Sequence, residues 1–381
     1  MGTGGNGETA AKSAQASLGA VDLLMPPTLL TRPTDWYLDR IRRGAQRRRG
    51  TGLPNYRPMT RSQLVAAKVT RVGLRDNFER VEAGVYVSKR HLLPEKTDSG
   101  FTRTRRVPAA TLVRAHALAH PGHIATGFAA AAEYGMTYFV EEETLEFLVS
   151  RGAGCANSAP HLQLTRTRRL AERRARAFAP DPVFPDLWCV EPSRALARML
   201  QVLDGEDADR SGRWRVPDLA TVLPHLTPSY LRQVQVSDAF HQTMSRPLPA
   251  DPRVLVSTGL VSADLVGAVL GATDVGAESP PETLLRLVVA DLAPGLRTQI
   301  PVFRDSGALL TTADMGWEKR RVFLFYDGAH HQLGAQRDHD SEVLAQLQRH
   351  GGQVFRITAG QLADADGVAQ LRDAVAEALG L

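Results

Sequence analysis

At 381 residues, with 43% hydrophobic and 23% charged residues, the chain has an ordinary globular composition and room for two or three domains. Two cysteines, Cys155 and Cys189, provide neither a disulfide framework nor, on their own, a four-ligand zinc site, and reduced cytoplasmic thiols are the default. The net charge of +5 hides a gradient: residues 1–120 carry 21 Lys/Arg against 9 Asp/Glu, a net +12, which leaves −7 for the rest. A basic excess held at one end suits a polyanion partner for that end.

The N-terminus is rich in Gly, Ser and Ala and lacks the basic and apolar regions of a secretory signal. The apolar runs Val254–Val269 and Leu284–Leu292 carry acids and fall short of the roughly 18 residues a membrane span needs, so the expectation is a soluble, cytoplasmic protein. Residues 1–19 hold few bulky apolar side chains and read as disordered. From Arg40, six arginines fall in ten positions, including Arg47, Arg48 and Arg49. Such a run suits an arm gripping phosphates or, equally, a solvated linker, and it closes a first segment, residues 1–50.

Residues 51–95 read as a DNA-binding module. Thr60-Arg61-Ser62-Gln63 predicts a helix start, with Thr60 as N-cap and Gln63 at the capping-box position. After a break near Val69–Gly73, which carries Arg71, a second helical stretch is expected over Leu74–Val81, with Arg75, Asn77 and Arg80 as polar members. Gly84 supplies a turn, and Val85-Tyr86-Val87 a short strand. Helix, turn, basic helix and strand is the order of a winged helix-turn-helix, whose second helix enters the major groove; a purely structural helical hairpin is the competing reading.

The stretch Thr60–Ser88, ending in ERVEAGVYVS, resembles the winged helix-turn-helix that opens AbiEi-type bacterial antitoxins. The likeness extends more weakly through the helix ending at His120, the small-residue stretch His123–Gly135 (read as a helix), and a helix beginning near Val190. It implies DNA as a partner and allows a cognate toxin as a second one. Residues 100–271 read as a middle domain of helices and short strands, including a strand at His161–Thr165. A second basic cluster follows it (Arg166, Arg168, Arg169, Arg173, Arg174, Arg176), and Ala272–Pro281 reads as a linker.

The last domain, residues 278–381, reads as α-β-β-β-α-β-α. Its elements are a helix over Glu282–Leu292, strands at Thr298–Arg304, Ala308–Met315 and Arg321–Tyr326, a helix over Arg337–His350, a strand at Gln353–Thr358 and a final helix. The unbroken apolar run Val322–Phe325 is that of a central, doubly covered strand. The fold class expected for the whole is therefore an α+β or α/β multidomain protein, with a winged helix-turn-helix, a mixed middle domain and a restriction-endonuclease-like core. Asp314 on the second strand and Asp327 after the third can hold Mg²⁺ if those strands are short or splay apart where the site opens. A histidine after Asp327, His331 or its rival His330, would move protons, and Glu282 on the preceding helix would reach the site from the other side.

The phrases PETLLR, IPVFRDSGALLTTADMGW, RRVFLFYDGAHH, RDHD and GGQVFRIT, in that order, resemble the very-short-patch-repair (Vsr)-like branch of the PD-(D/E)XK nucleases. The resemblance implies a Mg²⁺-dependent DNA endonuclease. It assigns Asp314 to the metal-binding aspartate, Asp327-Gly328 to the following DG, His331 to the histidine after it, and Glu282 to the acid of the first helix. It also matches Asp338 and Asp340 to an acidic pair opening the next helix. Phe325 departs from it, standing where most relatives carry a glutamate. The alternative is a non-catalytic, antitoxin-like DNA-binding regulator with a degenerate nuclease fold.

Overall fold

The computed structural model describes residues 57–92, 107–141, 143–151, 161–181, 184–204, 214–244, 250–304, 306–327, 345–349 and 351–381. The chain divides into two units. The first is Met1–Val202 with Arg210–Trp214 and Thr243–Gly267; the second is Leu203–Asp209 with Arg215–Gln242 and Ala268–Leu381. Both mix helices with sheet, so the chain is an α+β multidomain protein. Among the described residues no helix is long and apolar enough to cross a membrane.

In the first unit, Thr60 and Gln63 close the expected capping box. The Thr60 N–H donates to Gln63 Oε1 at 2.8 Å, and the Gln63 N–H donates to Thr60 Oγ1 at 3.3 Å. The strand β1 (Met59–Thr60) leads into α1 (Arg61–Ala66), whose Leu64 is buried. The next helix, α2 (Arg71–Asn77), begins earlier and ends sooner than the sequence suggested, because the Thr70 hydroxyl caps the Gly73 N–H at 3.0 Å. The β-favouring residues from Phe78 onward then pair as β2 (Phe78–Glu82) with β3 (Val85–Ser88), around a turn at Gly84 with φ +71°. Arg80 therefore lies on a strand, not on the second helix as expected.

The helix α3 (Ala109–Ala119) follows, and then a second correction. The stretch read as one helix over His123–Gly135 is a strand, β4 (Ile124–Thr126), and then a helix, α4 (Gly127–Tyr134). Ile124 and Ala125 are claimed by ladders on both sides, β5 (Leu145–Ser150) and β7 (Trp188–Cys189), while Gly127 at φ +54° makes the corner. With β6 (Leu162–Thr167) these form a sheet of order β6-β5-β4-β7. Helices α5 (Leu170–Arg176) and α6 (Pro192–Val202) complete this region. Arg198 of α6 clamps Glu146 of β5 through contacts of 2.6 and 3.1 Å. Cys189 is a buried free thiol; Cys155 lies outside the described residues.

The second unit recruits α7 (Pro228–Thr243) from the region read as the middle domain. Its buried Asp238 accepts from the Asp274 N–H at 2.8 Å, the Thr283 hydroxyl at 2.8 Å and Arg286 Nη2 at 2.9 Å. Those bonds join α7 to α10 (Pro280–Val289), which follows α8 (Pro252–Val256) and α9 (Ala263–Ala272) along the chain. The stretch read as a linker is closely fitted: a Cβ on Gly276 would lie 2.1 Å from Thr298 Oγ1. Next come β8 (Arg297–Phe303), β9 (Leu309–Trp317), β10 (Val322–Asp327), a helical turn at 345–349 (α11), β11 (Gln353–Thr358) and α12 (Ala365–Leu379). The sheet order is β11-β10-β9-β8, with β10 and β11 parallel and the other pairs antiparallel.

Candidate functional site

Glu282 sits at the third position of α10, where Ser279 is the N-cap. Its two oxygens accept from the Ser279 hydroxyl at 2.7 Å and the Glu278 N–H at 2.8 Å, a capping arrangement that fixes the carboxyl. Burial raises its pKa to about 7, against the lowering effect of those hydrogen bonds, and the charge of Asp314 adds to the rise. Two of the expected acids are thus electrostatic neighbours.

Asp314 owes its position to where β9 ends. That strand runs on to Trp317, two residues past the expected end, so the hairpin register sets Met315 opposite Leu324. Pairing between β9 and β10 stops there, although β10 continues to Asp327. The two strands have separated by the level of Asp314, whose Oδ2 accepts from the Tyr326 N–H at 2.6 Å. The opening that the site requires is therefore present, with a side chain standing in for the lost backbone acceptor. The Tyr326 phenol has a raised pKa, first from burial and then from Asp327 and Glu282.

Asp327 has a different partner. Its Oδ2 takes a 2.9 Å charged hydrogen bond from Arg356 Nη2 on β11. Phe325, the departure noted in the sequence, packs against the apolar cluster of Ile300, Leu310, Ala313, Phe323 and Leu347. Glu282, Asp314 and Asp327 do not form a three-ligand cluster close enough to share one ion. Glu282 and Asp314 nonetheless offer the hard oxygens that Mg²⁺ takes, and the Asp314 charge, which adds to the burial that raises Glu282, is what a divalent cation would offset. His331, His330, Gly328, Asp338 and Asp340 lie outside the described residues.

Among the expected DNA contacts, Arg71 and Arg75 lie on α2 and are exposed. Arg75 pairs with its neighbour Asp76 at 2.8 Å, and its carbonyl accepts from Lys89 Nζ at 2.9 Å. Arg80, exposed on β2, donates from Nε to the Glu82 carbonyl at 3.3 Å. Arg47, Arg48 and Arg49 lie outside the described residues. In the second basic cluster, Arg174 stacks over Trp188 at 3.6 Å, a packing role.

One constellation escaped the sequence reading. Glu82 at the end of β2 meets His116 of α3 and the C-cap His120, and His116 in turn meets His123 just beyond the helix. His116 Nδ1 is 3.4 Å from Glu82 Oε2, His120 Nε2 is 3.9 Å from Glu82 Oε1, and His116 Nε2 is 2.9 Å from His123 Nδ1. The hydrogen bond with His116 lowers the Glu82 pKa, while burial and the neighbouring imidazoles lower His120 and bring His123 to about 4. The signal in the sequence was the spacing His116-x₃-His120-x₂-His123, which places two imidazoles one helical turn apart.

No protein-family profile, curated protein or solved structure matches the chain.

Proposed function

We propose that this is a DNA-binding protein whose C-terminal domain has a Vsr-like, restriction-endonuclease-type fold and hydrolyses phosphodiester bonds with Mg²⁺. The observation that carries this reading is the opening where β9 and β10 cease to pair beside Asp314 of the second strand, whose charge also acts on Glu282 of the first helix. The element order from α10 to α12, with three antiparallel strands and a fourth added in parallel, supports it. Asp314 and Glu282 would hold the metal. Bound there, Mg²⁺ would neutralise charge on the phosphate and lower the pKa of a coordinated water. Without the metal Glu282 keeps its proton to near neutrality; as a ligand it would be in the carboxylate form and would give that proton up on binding. His331 is the proton carrier in this proposal.

For the N-terminal region, the order β1-α1-α2-β2-β3 supports a winged helix-turn-helix in which α2 presents Arg71 and Arg75 to DNA. The test is nicking of supercoiled plasmid by the purified chain with Mg²⁺. Nicking that is lost in Asp314→Ala, with DNA affinity retained, is the expected result. Metal-dependent cleavage that survives in Asp314→Ala removes the site.

A second reading, a non-catalytic antitoxin-like regulator, is favoured by the Asp327–Arg356 ion pair and by Phe325 in the apolar cluster. It predicts salt-sensitive DNA binding without cleavage under any divalent ion, and capture of a cognate toxin is its further expectation.

A further inference from the structure

The four residues Glu82, His116, His120 and His123 belong to the first unit and have no role in the proposed nuclease chemistry. His116 lies in the last turn of α3 and His120 is the C-cap that follows it, and each brings a ring nitrogen to the Glu82 carboxylate of β2, at 3.4 and 3.9 Å. One ligand atom from each of Glu82, His116 and His120 lies within 4.8 Å of the others. In a tetrahedral site with bonds of about 2.0–2.2 Å, neighbouring donors stand about 3.3–3.6 Å apart. The His116–Glu82 separation of 3.4 Å is already such an edge, and the His120–Glu82 separation of 3.9 Å needs only a small closure.

His123 adds an independent feature. A ligating histidine characteristically uses one ring nitrogen for the metal and donates from the other to a fixed acceptor. His116 turns Nδ1 to the cluster, and its Nε2 meets His123 Nδ1 at 2.9 Å. His116 and Glu82 are nearly closed to solvent, whereas His120 keeps 26% of its side chain exposed, so a fourth position is open to water. Two imidazoles and one carboxylate suit a borderline transition cation; Mg²⁺ and Ca²⁺ prefer all-oxygen sets.

We propose that Glu82, His116 and His120 bind one divalent transition-metal ion of the zinc class, with His123 as the positioning residue behind His116. The ion clamps the β2–β3 hairpin to α3.

The test uses the full chain without an added histidine tag, stripped with a chelator and titrated with Zn²⁺ by calorimetry, with Co²⁺ as the spectroscopic probe. The expected result is one ion per chain, a higher melting temperature with Zn²⁺, and a visible Co²⁺ ligand-field spectrum. His123→Ala is expected to weaken Zn²⁺ binding by about 10–100-fold at unchanged stoichiometry. His120→Ala, at the partly exposed ligand, and Glu82→Gln are expected to lose the Zn²⁺-dependent rise in melting temperature. Asp314→Ala is expected to bind Zn²⁺ as the parent does, which separates this site from the C-terminal acids. Failure of the folded parent chain to take up Zn²⁺ overturns the proposal, as does uptake unchanged in both His120→Ala and Glu82→Gln.

Discussion

The Asp314 carboxylate accepts a 2.6 Å hydrogen bond from the Tyr326 backbone N–H, across the point where β9 and β10 cease to pair. One oxygen of the candidate metal ligand therefore also secures the mouth of the site. Asp314→Ala leaves that N–H without this acceptor and is expected to cost about 1–3 kcal/mol in denaturant unfolding. Asp314→Asn, which keeps an acceptor oxygen, is expected to cost less. If the two variants unfold alike, the bond contributes nothing.

The same pair makes an electrostatic prediction. Since the charge of Asp314 helps to raise Glu282, Asp314→Asn is expected to move the Glu282 pKa downward from about 7. A carboxyl-detected NMR titration reads the shift; an unmoved Glu282 would place the two acids out of contact.

Glu282 also sets a pH dependence of stability. Its folded pKa, about 7, lies above the ordinary 4.5, so the folded state holds a proton that the unfolded state has lost between those values. The contribution is complete below about pH 4.5 and is lost as pH rises through 7. Allowing for partial exposure, the loss is on the order of 1–2 kcal/mol. Glu282→Gln keeps a capping-box side chain and is expected to flatten the stability profile over that window. A profile as steep as the parent's would assign the slope to another group.

Arg71 and Arg75 are expected to touch phosphates or base edges. Replacing either with Ala should weaken DNA binding, and for each phosphate no longer neutralised the salt slope should fall by about one. Thermal stability should hardly change, because the Arg75–Asp76 pair is exposed. Arg80→Ala, on the strand, is expected to have the smaller effect. Binding isotherms at several salt concentrations decide this, and unchanged slopes would take α2 off the DNA.

Gly316 pairs with Phe323 across β9 and β10, and a Cβ there would lie 2.2 Å from the Val322 carbonyl oxygen. The obstacle is backbone and cannot rotate away, so Gly316→Ala is expected to cost about 3 kcal/mol, at the upper end for overpacking. Equilibrium unfolding checks it, and a loss below about 0.5 kcal/mol would show that the hairpin yields.

Local features were the legible ones. The Thr60–Gln63 capping box, the Gly84 turn and the buried run Val322–Leu324 follow from side-chain chemistry within a few residues, which acts before any distant contact forms. The order of strands and helices in the C-terminal domain was readable for the same reason. Element ends were less so: Arg80 went to a strand and Ile124–Thr126 to a ladder, because a pairing partner overrode local helical preference.

Sequence alone determined the alternation of helix and strand, the basic N-terminal third and the identity of Asp314, Asp327 and Glu282 as candidate acids. Tertiary structure decided that the Asp314 charge acts on Glu282 while Asp327 turns to Arg356, that α7 joins the C-terminal unit, and that a glutamate and three histidines converge near α3. These outcomes depend on strand register and on contacts between residues tens of positions apart. Periodicity and capping act over a few residues and do not encode them.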